Sequence, residues 1–200
     1  MIHRTGRYCE LIWGGMILLT IGLGLFIYLD ASSSLGEIIA FEIVTGIGAG
    51  LLFQPPLTAL QALTEQDDIA TATATLSFSR SLATSISVVI GGVVFQNGMD
   101  LQTPRLRAAG LPRNVTQSLS GGAAAANVML IDTIMDPIQQ MAVKDAFAWS
   151  VKNIWIMCTC VSACGVAASS FITRQVLSTE HVETKTGIKK KQPVVMEAQE

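Results

Sequence analysis

The ionisable side chains of greatest chemical consequence in this sequence are Arg80 and Glu42, because each interrupts a long apolar run. A charge inside such a run usually faces a cavity or a partner. Arg80 therefore either lines a polar path or snorkels its head towards a phosphate-bearing surface. A carboxyl at Glu42, withdrawn from water, would hold a proton more tightly and could carry it; the other reading is a polar contact between helices. Around Arg80, Thr73, Ser77, Ser81 and Ser85 recur every four residues, which sets small hydroxyls along one helix face. Thr73 and Ser77 are assigned with Arg80 and Glu42 to a candidate solute or proton pathway. Ser81 and Ser85 are assigned to helix packing.

Other chemistries are disfavoured by what the residues lack. No Ser-His-Asp or Cys-His arrangement is present, so nucleophilic catalysis is set aside and no enzyme is expected. His3 and His181 are terminal, far from Cys158, Cys160 and Cys164, so neither a metal site nor a cofactor is expected. Cys9 lies in a different segment and shows no paired spacing that would mark a disulfide. The net charge of -2 and the 6% aromatic content give no footprint for nucleic acid. Gly46-Ile47-Gly48-Ala49-Gly50 is not a nucleotide loop, which would follow a strand in a soluble unit. Gly46 and Gly50 stand four apart in an apolar helix, a spacing that lets membrane helices approach closely.

The elements that must position these groups are apolar helices. Half of the 200 residues are hydrophobic and 14% are charged, against about a quarter in soluble domains. Residues 11–29 contain no ionisable group, are bracketed by Glu10 and Asp30, and are just long enough for a ~30 Å hydrocarbon core. The run is too long for a secretory signal and reads as a first span. A second span covers 35–53, with a kinked extension to 63, because Pro55 and Pro56 remove backbone donors and must kink or stop the helix. A third covers 69–95; its Ala-Thr alternation suggests a strand, but the apolar continuation without a turn, and the need for internal backbone partners in lipid, require a helix. A fourth covers 146–172, with Lys152 read as an interface anchor. The fold class is all-α, a polytopic transmembrane protein.

Between the third and fourth spans, 97–145 reads as a long loop punctuated by Pro104, Pro112, Gly121-Gly122 and Pro137, with a short helix over 123–134. Asn114-Val115-Thr116 within it is a glycosylation sequon at Asn114. Residues 1–10 form an N-terminal segment, and 174–200 reads as a disordered polar tail. Arg4, Arg7, Arg174, Lys185 and the lysines at 189–191 outweigh Arg105, Arg107, Arg113 and Lys144, so both termini are expected in the cytoplasm and the loop outside.

Two strings are more specific than hydropathy: GIGAGLLFQPPLTALQA from Gly46, and IATATATLSFSRSLATSISVVIGGVVFQN from Ile69 to Asn97. They resemble the last part of fungal drug:proton antiporters of the major facilitator superfamily, in the fourteen-span branch that includes mycotoxin exporters. TGRYCELIWGGMILLTIGLGLF, SGGAAAAN and AVKDAFAWSVKNIWIM fit the same resemblance, which runs from about Thr5 to Arg174. It implies a partial major facilitator fold, a lipid bilayer as surroundings, protons and an amphipathic small molecule as partners, and a plasma membrane location, with a vacuolar one as alternative. It reaches only the final four spans, so the chain is expected to be a portion of a transporter, from a truncated gene model, a remnant or a fragment. Such a portion is expected to be inactive alone, with self-association open to it. A small membrane protein that binds or regulates a full-length transporter is the second reading.

Overall fold

A computed structural model describes residues 8–170, apart from the side chains of Tyr8, Cys9, Ala62 and Leu63. The segment before Tyr8, the expected end of the last span at 171–172 and the expected disordered tail lie outside the described residues. Helix α1 spans Tyr8–Leu25 and closes in a single tight turn, Phe26–Tyr28. Then follow α2 (Leu35–Phe53), α3 (Pro55–Leu63), α4 (Ile69–Ala108), α5 (Arg113–Ser118) and α6 (Pro137–Ser169). Short 3-10 helices at Gly121–Ala123 and Val128–Thr133 lie between α5 and α6, the second covering part of the short helix expected over 123–134. Four helical stretches, Glu10–Tyr28, Leu35–Gln61, Ile69–Ala108 and Pro137–Ser169, are long and apolar enough to cross a membrane.

The α1–α2 hairpin is defined at both ends of its turn. Asp30 Oδ1 accepts from the Ser32 amide and hydroxyl, each at 2.8 Å, and from the Ser33 hydroxyl at 3.4 Å. Ser34 opens α2 through a reciprocal capping box: its hydroxyl accepts from the Glu37 amide at 3.3 Å, and the Glu37 carboxylate accepts from the Ser34 amide at 3.0 Å. Glycines let the two helices close. A Cβ on Gly48 would stand 2.6 Å from the Leu19 backbone nitrogen, and one on Gly15 would meet Leu52 at 3.0 Å. Gly22 meets Thr45 in the same way.

Helix α1 also packs on α6. Thr20 gives its hydroxyl proton to the Met16 carbonyl at 2.8 Å, so the 2.7 Å contact with Ser162 has the serine as donor. Phe26 stacks on Trp155 at 4.4 Å between centroids, with Phe41 edge-on at 6.2 Å. Helix α6 in turn holds α4, where Gly98 admits the fully buried Ser150: a Cβ there would lie 2.9 Å from the serine hydroxyl. Only the second half of α4 is held in this way. Every residue from 81 to 90 is exposed.

The expected loop from 97 to 145 is helical at both ends. Helix α4 continues through Pro104 to Ala108, and α6 begins at Pro137. Pro104 costs α4 one hydrogen bond, but it is exposed, where water can serve the freed carbonyl. The helix stops at Gly110, whose φ of 85° lets its amide reach the Arg107 carbonyl while the Leu111 amide reaches that of Leu106. This pair of bonds, with Leu106 and Leu111 both buried, is a Schellman closure. Pro137 sits at the first turn of α6, where its missing N–H costs nothing, and Asp136 caps that turn by accepting from the Ile138 amide at 3.0 Å. Leu106, Leu111, Leu119, Ala124, Ile131, Val143 and Ala146 gather with Met99 into a hydrophobic core. Burial of these apolar side chains holds this cap together.

Candidate functional site

The proline pair places Arg80. Pro55 and Pro56 have no N–H to offer the preceding turn, so α2 ends at Phe53 and α3 starts on the far side of Gln54. The end of α2 carries the negative pole of its helix dipole. Arg80 Nη2, reaching across from α4, donates to the Phe53 carbonyl at 2.8 Å, and its guanidinium lies 5.0 Å from the centroid of the Phe53 ring. One side chain thus caps a helix end by hydrogen bond and covers the adjoining ring by cation–π attraction. Thr58 steadies the other side of the break, its amide and hydroxyl both donating to the Gln54 carbonyl at 3.1 and 3.2 Å.

Below Arg80, α3 and α4 diverge around an open cleft of about 410 Å³, lined by Leu60, Asp68, Thr71, Ala72, Thr75, Leu76 and Ser79. The hydroxyl face on this cleft is therefore Thr71, Thr75 and Ser79. The ridge singled out in the sequence lies beside it: Thr73 is half-buried and accepts from Gln61 Nε2 at 3.4 Å, tying α3 to α4, while Ser77 is exposed. Both ridges recur every four residues, and spacing alone does not choose between them. The Thr75, Ser77, Ser79 and Ser85 hydroxyls donate to the carbonyl four residues back, at 2.9 to 3.0 Å. Their lone pairs remain available to a solute or a helix.

Other expected residues are not brought together. Glu42 is exposed on α2 and makes no ion pair or hydrogen bond among the described residues. Gly46 and Gly50 were expected to pack helices, but a Cβ on either would meet nothing within 4 Å. Gly48 makes the close approach instead, because two residues turn an α-helix by more than half a revolution and point 46 and 50 away from α1. Ser81 and Ser85, also expected in packing, are exposed, since α4 meets α6 only further along. Asn114 is exposed, whereas the Thr116 of its sequon is 1% exposed and donates its hydroxyl to the Pro112 carbonyl at 3.1 Å.

Known proteins share this arrangement of sequence. Over 187 residues the chain is 39% identical to the MFS-type transporter ppz2 of Metarhizium majus, covering 94% of this chain and 32% of that protein. It is 36% identical over 187 residues to the efflux pump dotC of Dothistroma septosporum, with 94% and 32% covered. The chain is a homologue of fungal MFS-type transporters. With gkaD of Penicillium citrinum, another MFS-type transporter, identity is 29% over 202 residues, 99% of this chain and 34% of that one. The chain spans about a third of the length of these relatives. No protein-family model and no solved structure matches it. With its four long apolar helices it is a multi-pass membrane protein, and its relatives are transporters, not enzymes.

Proposed function

We propose that this chain is the C-terminal portion of a proton-coupled efflux transporter that exports amphipathic organic compounds: drugs, mycotoxins or other secondary metabolites. The observation that carries the reading is a match over 94% of the chain to transporters of which it represents 32%. On this reading Glu42, Gly46, Gly50, Ser81 and Ser85, open in the four helices, meet the remaining helices of the transporter. Arg80, Thr73 and Ser77 stand beside the solute path, and Glu42 exchanges the coupled proton. Both termini face the cytoplasm, the cap faces outward from the plasma membrane, and Asn114 receives its glycan before Thr116 is buried.

The test is a graft. This chain replaces the homologous third of dotC, and export of a fluorescent amphipathic dye is followed in yeast. Retained export supports the reading. A graft that inserts and reaches the cell surface but exports nothing, while an equivalent graft from ppz2 works, contradicts it.

A further inference from the structure

The cap contains a second hollow, of about 200 Å³, lined by Thr103, Arg107, Arg113, Thr116, Gln117 and Ser120. It lies at the far end of α4 from Arg80, and the proposed export path does not use it. Arg107 and Arg113 both face this small space, and among the described residues neither makes an ion pair or a hydrogen bond. Two positive charges in the lining of one hollow favour an anion there. Among the described residues no carboxylate fills that role: none lines the hollow, Asp145 is engaged 3.5 Å from Arg105, and Asp100 sits over Gly121.

Arg107 is not needed as a helix cap, because the last carbonyls of α4 already accept from Ala109, Gly110 and Leu111. The rest of the lining is small and polar. Thr103, Thr116 and Ser120 donate to backbone carbonyls at 3.4, 3.1 and 2.9 Å, which fixes the walls, and the Gln117 amide adds a neutral donor. Thr116, nearly fully buried, and Leu119, fully buried, root this wall in the cap core. Two planar donor forks in the lining of one space suit a tetrahedral oxyanion, which can accept from both.

We infer that the hollow between α4 and α5 binds a phosphate-type oxyanion, held by Arg107 and Arg113. The anion is either free phosphate or phosphate ester, or the phosphodiester of a lipid headgroup. The full chain is produced in bacteria, so that Asn114 carries no glycan, and is held in maltoside detergent micelles, which carry no phosphate group. Inorganic phosphate is titrated calorimetrically against a chloride control. Arg107→Gln and Arg113→Gln, both at exposed positions, are each expected to weaken binding about tenfold through loss of a charge-assisted contact. Arg105→Gln, outside the hollow, is expected to leave it unchanged. In a second arm the chain is placed in nanodiscs that contain phosphatidylglycerol. Phosphate binding in micelles that is suppressed in those discs assigns the site to headgroups; equal binding in both assigns it to a soluble anion. Absence of phosphate binding in micelles, or binding insensitive to both arginine variants, would overturn the inference.

Discussion

Arg80 is where the chemistry of single residues is most concentrated. Its guanidinium answers a problem created by Pro55 and Pro56, a helix end left inside an apolar segment. A hydrogen bond from a charged donor is worth about 1.5 to 3 kcal/mol, so its loss would loosen the α2–α3 junction. In the dotC graft, Arg80→Lys keeps the charge but loses the planar fork, and is expected to lower export about tenfold with insertion intact. Export at the parental rate would show that charge alone suffices. The glycines separate as sharply. Gly48→Ala forces a methyl group against the Leu19 backbone and is expected to destabilise the α1–α2 pair by about 1 to 3 kcal/mol. Gly46→Ala and Gly50→Ala should leave that pair unchanged, which detergent unfolding of the isolated chain would reveal. Nothing in the string GIGAG distinguishes these glycines; the choice is made by Leu19 on another helix. Likewise, the ionic character of Arg80 was legible, but its partner is 27 residues away and depends on how α2 breaks.

At the scale of elements, turns and caps decide the outcome. The Asp30 carboxylate accepts bonds from Ser32 above all, and from Ser33, and these hold its pKa below the ordinary value of 3.8. A depressed carboxyl contributes stability above its unfolded value and loses it as the pH falls through the folded one. The turn should therefore keep its geometry down to pH values below 3.8 and loosen beneath that. NMR titration of Asp30 is expected to show the low value, and Ser32→Ala to raise it; an unchanged titration in Ser32→Ala would contradict the geometry. The cap depends on packing. Leu119→Ala empties a fully buried site and is expected to cost the cap about 2 to 5 kcal/mol, seen as faster proteolysis between 109 and 136. The apolar stretches were legible because charges bracket them, as Glu10 and Asp30 bracket the first. The cap was not, because Pro104 and Pro137 read as loop punctuation, whereas one is tolerated in an exposed turn and the other opens a helix.

For the whole molecule, the four long helices make a partial assembly. Helix α1 lies between α2 and α6, and α6 holds α4, while residues 81–90 are exposed and Gly46 and Gly50 of α2 border open space. Transport by alternating access needs two bundles that rock about a site between them, and four spans supply less than one bundle. The measurement that tests this most directly is dye movement in proteoliposomes under an imposed proton gradient, with the chain alone and its dotC graft reconstituted side by side. The graft is expected to move dye in proportion to the gradient and to lose that movement with Arg80→Ala, while the chain alone moves none. Gradient-dependent movement by the chain alone, abolished by Arg80→Ala, would contradict this, and would require its four helices to build a complete transporter by self-association.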